Sequence, residues 1–328
     1  MRETPVSEVG HLLDIDDRHP EAIVRLVDLA ARIKRGDHGI HLPGRTLALL
    51  FEQPSTRTRA SFEAGINRLG GSAMFLGPGD TQLARGEPIK DTARALSRYV
   101  DAVAIRTADH ADLEAFAAHA DVPVINALSD RAHPCQALAD LLTIRESIGP
   151  FDEVTAVWVG DGNNVGASFA LAAAAVGIDL TVVTPPAHEL APDVVERAAA
   201  LGDAPRTAHA PHPWVERADV VYTDTWVSMS EEDHDADREA KVAAFDGYQV
   251  NHDLLEGSDA RVMHCLPAHR GEEVTDAILE DDRALIWDQA ENRMHVQNAL
   301  LASLLDDDLP DLVGQRHLPL GDASAPGD

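Results

Sequence analysis

Short apolar runs alternate with helical segments along most of this chain, and no other feature constrains its fold as tightly. Thr46–Phe51 is an apolar run of the buried-strand type, and Phe62, Ile66 and Leu69 then recur at helical spacing. Strands that alternate with helices in this way pack into a parallel sheet with helices on its faces. With 328 residues, the chain is long enough for about two domains. We therefore predict an α/β fold of two domains, each a parallel sheet flanked by helices.

The predicted elements divide the chain near Pro150. We predict one domain over residues 1–148, a second over 149–293, and a C-terminal helix at about 294–310 that packs back on the first. Apolar runs predict strands at 46–51, 73–76, 102–106, 122–126, 154–159, 180–184, 220–223, 261–263 and 284–287. Helical spacing predicts helices at 20–34, 91–99, 113–119, 137–147 and 296–305, one more after Ser55, and an alanine-rich helix that ends at Gly177. The charged stretch 230–241 is predicted to be an exposed loop or helix.

The residues that follow the first predicted strand open a helix, with Ser55 at the N-cap position. Free main-chain N–H groups and the positive end of the helix dipole favour an anion at such a helix start. The hydroxyls of Ser55, Thr56 and Thr58 add donors, and the planar guanidinium of Arg57 matches phosphate. The segment is either a phosphate-binding site or an ordinary capped helix with solvated arginines, and we favour the phosphate site.

The charge balance is strongly acidic, with 56 Asp and Glu residues against 27 Lys and Arg and a net charge of −29. Only Lys34, Lys90 and Lys241 are lysines. Such a deficit of positive charge argues against nucleic acid and anionic membranes as partners. Solubility alone would account for an acid excess, but the scarcity of lysine favours a protein that works in concentrated salt, where screening reduces self-repulsion.

Cys135 and Cys265 are the only cysteines, and their wide spacing gives neither a disulfide framework nor a paired metal-binding motif. The sequence shows no signal peptide and no long apolar run. We therefore expect a reduced, cytoplasmic setting.

The segment Gly160–Gly166 has the glycine spacing GxGxxxG, which is close to a dinucleotide-binding fingerprint. Its third glycine comes one residue late, and the next predicted strand ends at Thr184 without the acidic residue that would bind a ribose hydroxyl. An NAD-dependent dehydrogenase is therefore a remote alternative. A tight turn between strand and helix explains the glycines but leaves Asn163 and Asn164 unexplained.

Two further motifs place polar side chains next to predicted strands. His133 and Gln136, within His-Pro-Cys-Gln at 133–136, can donate hydrogen bonds to a developing oxyanion, although a single loop histidine is usually a surface residue. Cys265, within His-Cys-Leu-Pro at 264–267, is a candidate nucleophile or metal ligand, but no four-ligand spacing surrounds it. Taken alone, it fits a buried structural cysteine better.

These motifs occur together in the order and spacing of the aspartate/ornithine carbamoyltransferase family, which the chain closely resembles from about residue 10 to 305. The resemblance is carried by Arg106 and by the segments at 55–59, 133–136, 224–229, 264–267 and 291–293. Cys135, the pair Ser228 and Met229, and the motif around Cys265 favour the ornithine branch over the aspartate branch. The resemblance implies transfer of the carbamoyl group of carbamoyl phosphate to the side-chain amine of L-ornithine, giving L-citrulline and phosphate, with no cofactor and no metal.

The resemblance also implies roles for individual residues, with carbamoyl phosphate held by the first domain and the amino acid by the second. The implied catalytic residues are Arg106, His133 and Cys265. The implied carbamoyl phosphate-binding residues are Ser55, Thr56, Arg57, Thr58, Gln82, Arg106, His133, Gln136, Cys265, Leu266 and Arg293. The implied ornithine-binding residues are Asn164, Asp224, Ser228 and Met229. In the family, the loop that contains Gln82 reaches a neighbouring subunit's site, which implies a homo-oligomer, either a trimer or a multiple of it.

The residue types also rank the amines that such an enzyme could accept. Asp224 suits the α-ammonium of ornithine, whereas aspartate would bring a second carboxylate towards it. Putrescine is the alternative amine, but it would leave the groups around Asn164 unpaired. One position departs from the family pattern, because Ser230 stands where glycine usually follows Ser-Met. If that position needs a positive φ, serine costs about 1 kcal/mol there.

Overall fold

A computed structural model describes residues 10–227, 235–306 and 309 of the protein. Within these residues the strands form two sheets whose neighbouring strands are all parallel, which confirms the predicted α/β fold. The first sheet has the order β2-β1-β3-β4 and consists of β1 (Thr46–Phe51), β2 (Ser72–Leu76), β3 (Ala102–Arg106) and β4 (Val124–Leu128). The second has the order β7-β6-β5-β8-β9 and consists of β5 (Thr155–Val159), β6 (Asp179–Val183), β7 (Arg206–Ala208), β8 (Val220–Thr223) and β9 (Arg261–His264).

Helices connect these strands and cover the sheets. In chain order they are α1 (Pro20–Lys34), α2 (Thr56–Arg68), α3 (Ile89–Leu96), α4 (His110–Ala117), α5 (Pro134–Ser147), α6 (Asn164–Val176), α7 (Pro192–Leu201), α8 (His212–Val215), α9 (Asp235–Ala244), α10 (Asp276–Leu279) and α11 (Ile286–Leu305). No helix in the described part of the chain is both long enough and apolar enough to span a membrane.

Each sheet has a point at which its strand order reverses. In the first sheet, β1 lies between β2 and β3, so the chain leaves β1 to one side and later returns to the other. In the second sheet, β5 lies in the same way between β6 and β8. At such a point the loops at the carboxyl ends of the two adjacent strands diverge and leave a crevice that binds ligands.

The C-terminal helix corrects one prediction and extends another. The predicted strand at 284–287 is wrong: Ala284 forms only an isolated bridge with Val262, and Ile286 already begins α11. Periodicity cannot separate a short apolar run in a strand from one in a buried helix, and most residues of α11 are buried. The helix is therefore ten residues longer at its start than the predicted 296–305, and it packs on α1, α2 and α5.

Most other predicted elements occur within a few residues of their predicted bounds. The helix α7, the strand β7 and the short helices α8 and α10 had no counterpart in the prediction. The charged stretch predicted at 230–241 contains α9 from Asp235 onwards, whereas residues 228–234 lie outside the described residues. One apolar cluster includes Leu49 of β1, Leu138 of α5 and Trp158 of β5, so the core is continuous between the two sheets.

Candidate active site

A cleft with a volume of about 660 Å³ lies where the carboxyl ends of both sheets face each other. Its walls come from the loops and helix starts that follow β1, β3 and β4 on one side and β5, β8 and β9 on the other. The predicted site residues that line it are Ser55, Thr56, Arg57, Thr58, Arg106, His133, Asn164, Asp224, Cys265, Leu266 and Arg293. The fold therefore brings residues more than 200 positions apart in the sequence into one cavity.

The start of α2 has the capped geometry that the sequence predicts. The Ser55 side chain accepts a hydrogen bond from the Thr58 main-chain N–H at 3.4 Å, and the two hydroxyl oxygens lie 3.0 Å apart. Thr58 is buried, while Arg57 is exposed at the mouth of the cleft. Uncapped N–H groups, hydroxyls and a guanidinium thus meet at the positive end of one helix dipole, which favours an anion.

Three arginines, which we call the arginine cluster, surround this helix start: Arg57, Arg106 and Arg293. Arg106 ends β3 and Arg293 lies on α11, and both are buried. Burial, together with the positive charges of Arg293 and then Arg57, lowers the pKa of Arg106 to about 10. Clustered buried cations are unfavourable without a counter-ion, so this part of the cleft is built to take up an anion.

His133 lies beside the arginine cluster at the start of α5. Its main-chain N–H donates to the Ser168 hydroxyl at 2.8 Å, which ties the start of α5 to α6. Burial holds the pKa of His133 well below 6.5, and the charges of Arg293 and Arg106 act in the same direction. The imidazole is therefore neutral near pH 7, and it can donate one N–H without adding another positive charge.

Two of the predicted ligands are not on the wall of this cleft. Gln136 is buried behind it, where its amide carbonyl accepts a 2.7 Å hydrogen bond from Arg293. Gln82 precedes a short helical turn, and its side-chain carbonyl accepts from Arg85 at 3.1 Å. Their roles as carbamoyl phosphate ligands stay predictions, and Gln82 was expected to act on a neighbouring subunit.

On the opposite wall, Asn163, Asp224 and Cys265 form what we call the Asp224 cluster. Asn163 donates to one Asp224 oxygen and Cys265 to the other, both at 2.9 Å. Burial raises the pKa of the Cys265 thiol well above its usual 9.0, and the negative charge of Asp224 raises it further. Cys265 is therefore a protonated thiol that donates a hydrogen bond, which does not fit the nucleophile considered from the sequence.

The ligand atoms of Asp224, His264 and Cys265 lie within 4.8 Å of one another, a spacing that a metal ion could bridge. Both ring nitrogens of His264 already have partners, however. Nε2 lies 3.1 Å from the buried carboxylate of Glu273, and Nδ1 accepts the Leu266 N–H at 2.9 Å. A metal ion would have to break this arrangement, so the trio fits a hydrogen-bonded wall better.

Asn164 connects the two walls. Its amide donates at 2.6 Å to the carbonyl of Ser129, which lies just after β4.

Another residue of the cleft wall, Leu266, has a φ of 61°, a conformation that few residues other than glycine adopt. Backbone in this region usually marks a position that the surrounding structure fixes for function.

Ser228 and Met229, predicted to bind ornithine, lie outside the described residues, as does Ser230. The prediction also missed an ion pair on the cleft wall, in which Lys241 of α9 lies 3.0 Å from Asp161. Asp161 stands inside the glycine-rich turn that the sequence analysis singled out. Lys241 is one of only three lysines in the chain, and this scarcity was the available signal.

Comparisons with known sequences agree with this division of the cleft. Residues 10–146 match the family model described as the aspartate/ornithine carbamoyltransferase carbamoyl-P binding domain, and residues 152–304 match its Asp/Orn binding domain. An ornithine carbamoyltransferase from Haloquadratum walsbyi is 56% identical over 298 residues, which cover 91% of this chain and 98% of that protein. One from Archaeoglobus fulgidus is 48% identical over 301 residues, covering 90% and 97%.

Solved structures give the same result. The ornithine carbamoyltransferase from Pyrococcus furiosus superposes with a TM-score of 0.85 at 47% identity, covering 92% of this chain and 98% of that one. The enzyme from Gloeobacter violaceus superposes with a TM-score of 0.82 at 41% identity, covering 92% and 100%.

Proposed function

We infer that this chain, which belongs to the aspartate/ornithine carbamoyltransferase family, transfers the carbamoyl group of carbamoyl phosphate to L-ornithine. The products are L-citrulline and phosphate, so the enzyme takes part in arginine metabolism. The observation that carries this function is the single cleft in which the arginine cluster faces the Asp224 cluster. One wall suits a phosphate group, and the other suits an ammonium group.

For carbamoyl phosphate, we propose that the phosphate binds at the start of α2. Main-chain N–H groups, the hydroxyls of Ser55, Thr56 and Thr58, and the arginine cluster supply its donors. The carbonyl oxygen of the carbamoyl group would face Arg106 and His133. Fixed donors of this kind typically lower an activation barrier by roughly 3–4 kcal/mol each, because negative charge grows on that oxygen and on the departing phosphate.

For ornithine, we propose that the carboxylate of Asp224 pairs with the α-ammonium, while Asn164 and Ser228 bind the α-carboxylate. The side-chain amine must attack as a neutral group, although the free pKa of such an amine is about 10.4. Desolvation in the cleft lowers that pKa. The amine nitrogen bonds to the carbonyl carbon, the bond from that carbon to the phosphate oxygen breaks, and the nitrogen gives up a proton that the departing phosphate can accept.

The protonated Cys265 fits a role in orientation rather than covalent catalysis. Its thiol donates to Asp224, so it fixes the carboxylate that would receive the α-ammonium. Direct attack by the amine needs no covalent enzyme intermediate, and the raised pKa of the thiol agrees with that route.

The dehydrogenase alternative is not supported by the local packing of its glycines. A Cβ added at Gly162 would lie 2.5 Å from the main chain of Glu189, and one added at Gly166 would lie 2.9 Å from the ring of Trp158. Close packing thus requires both glycines without any dinucleotide. Asn163 caps α6 and reaches Asp224, which accounts for one of the asparagines that a plain turn left unexplained.

We propose three further properties from the sequence. The domains are residues 1–148 and 149–293, with the C-terminal helix from about residue 294 onwards packed back on the first. The chain assembles as a homotrimer or a multiple of it, in which Gln82 reaches a neighbouring copy's cleft. It works in the cytoplasm at high salt, a proposal supported by the net charge of −29 and by the similarity to the Haloquadratum walsbyi protein.

A citrulline-formation assay with carbamoyl phosphate tests the activity, run at several KCl concentrations so that a salt requirement is not mistaken for inactivity. Ornithine, putrescine and aspartate are compared as acceptors by kcat/KM. We expect ornithine to give the highest value by a wide margin. A higher kcat/KM for putrescine or aspartate would contradict the assignment of Asp224 to the α-ammonium.

A further inference from the structure

Asp140 is a buried carboxylate behind the cleft to which none of the roles above refers. It lies on α5 one helical turn after Gln136, it is fully buried, and it does not line the cleft. A carboxylate removed from water is costly unless hydrogen bonds satisfy it. Its position next to a candidate active site therefore needs a physical explanation.

One oxygen of this carboxylate receives two side-chain amides. Gln136 of α5 donates to Asp140 Oδ1 at 2.8 Å, and Gln289 of α11 donates to the same oxygen at 2.7 Å. Both glutamines are buried as well. Hydrogen bonds among these three side chains thus link α5 to α11 behind the arginine cluster.

An ionised carboxylate can only accept hydrogen bonds, so it determines which end of each amide faces it. The NH₂ end of both glutamines must point to Asp140, and both amide carbonyls must therefore point away. The Gln136 carbonyl accepts from Arg293 Nη1 at 2.7 Å. The Gln289 carbonyl accepts from the main-chain N–H of His264 at 3.0 Å.

These two carbonyls hold groups on both walls of the cleft. Arg293 uses its other terminal nitrogen to donate to the Thr58 hydroxyl at 3.2 Å, next to the start of α2. His264 ends β9 and is followed by Cys265, which donates to Asp224. A reversed Gln136 amide would place its NH₂ group against the donor of Arg293, and a reversed Gln289 amide would place its NH₂ group against the N–H of His264. The carbonyl of either reversed amide would face the Asp140 carboxylate, so both of its hydrogen bonds would be lost.

We propose that Asp140 is a positioning residue for carbamoyl transfer: it fixes the amide orientations of Gln136 and Gln289, so that one carbonyl holds Arg293 and the other holds the end of β9. This inference rests on the proposed function, because it explains how the groups assigned to carbamoyl phosphate and ornithine are held in place.

The charges around Asp140 set the conditions for a test. Burial raises the pKa of Asp140 to about 7, and the hydrogen bonds from Gln136 and Gln289 limit that rise. The other titratable groups that interact with it are Arg293, Tyr222 and Cys265. Assays belong at pH 8, where a carboxyl group with this pKa is mostly ionised.

The test is a double-mutant cycle read as carbamoyl phosphate affinity by calorimetry and as kcat/KM for carbamoyl phosphate. Asp140→Leu keeps the approximate size of the side chain but removes the oxygen that accepts from both glutamines, and Gln136→Met removes the amide through which Asp140 reaches Arg293. We expect Asp140→Leu alone to weaken both quantities by about tenfold or more. On the Gln136→Met background the same change should alter carbamoyl phosphate affinity by less than twofold, because its path to Arg293 is already cut.

Thr143→Val is the matched control. Thr143 lies one turn further along α5, is fully buried, and accepts a 3.0 Å hydrogen bond from Asn292 of α11. It therefore joins the same two helices but does not lead to the cleft. We expect Thr143→Val to lower Tm, while the carbamoyl phosphate affinity and the kcat/KM of the folded enzyme stay within twofold of the values for the unaltered protein.

Two results would overturn the inference: Asp140→Leu with unchanged carbamoyl phosphate affinity, or equal effects of Asp140→Leu on that affinity with and without Gln136→Met. If Asp140→Leu fails to fold, Gln289→Met tests the other branch, and it should lower kcat more than carbamoyl phosphate affinity. Failure of the proposed function would look different, because the unaltered protein would then form no citrulline. The binding cycle reads affinity alone and does not depend on turnover.

Discussion

Replacing Arg57 by alanine tests whether this residue binds carbamoyl phosphate or only contributes to the fold. Arg57 is exposed at the second position of α2 and lines the cleft. A hydrogen bond between charged groups typically contributes about 2–3 kcal/mol, so its loss should raise the Kd for carbamoyl phosphate roughly 30- to 150-fold.

The same substitution should leave the fold intact. A cation at a helix start opposes the helix dipole by about 0.3–1 kcal/mol, so Arg57→Ala is expected to leave Tm unchanged or to raise it by about 2 °C at most. Most buried binding residues would behave differently, because their removal leaves a cavity or an unpaired group.

Arg59 is the matched control, because it lies two residues further along the same helix but does not line the cleft. It pairs with Glu63 at 2.8 Å and stacks over the ring of Phe75. Calorimetric titration of both variants with carbamoyl phosphate gives the comparison. An unchanged Kd for Arg57→Ala, or an equal loss for Arg59→Ala, would refute the phosphate site at the start of α2.

Three other outcomes are expected. Asp224→Asn should raise the KM for ornithine at least tenfold and change the Kd for carbamoyl phosphate by less than threefold; equal losses in both would mean that Asp224 is not specific to the amino acid. Lys241→Gln should raise the KM for ornithine severalfold because it frees α9 from the turn at Asp161, and Lys241→Arg should restore it; no rescue by arginine would argue against the ion pair as the cause. Raising KCl from 0.1 M to 1 M should raise Tm, since the Debye length falls from ~10 Å to ~3 Å and the net charge of −29 repels itself less, whereas a flat or falling Tm would count against a high-salt habitat.

The start of α2 could be predicted from sequence because its signals are local. A strand, a proline, a capping serine and an arginine follow one another within about ten residues, and helix-start chemistry depends only on such neighbours. The positions of Arg106 and Asp224 could also be predicted from sequence. Each stands at or next to the end of an apolar run, and parallel strands end at one edge of their sheet.

The contacts of Gln136 could not be predicted in the same way. The side chain lies behind the cleft wall, and the direction of its amide depends on Asp140 and on Arg293, which is 157 residues away. The start of α11 was missed for a related reason, because its buried residues include polar ones such as Gln289, Asn292 and Arg293, so the apolar stripe that makes a helix recognisable is absent there. Tertiary contacts, rather than local pattern, decide both features.

An enzyme with a net charge of −29 that binds an acyl phosphate depends on two different ranges of electrostatic interaction. The acidic surface repels an anionic substrate over tens of ångströms, and salt screens that repulsion almost completely at 1 M. The contacts of a bound phosphate with Arg106 and Arg293 would form at hydrogen-bond distance among buried groups, where screening by salt is weak. Concentrated salt therefore removes the obstacle to substrate approach and leaves the binding contacts largely in place, so an acidic surface and an anion-binding cleft are compatible in one molecule.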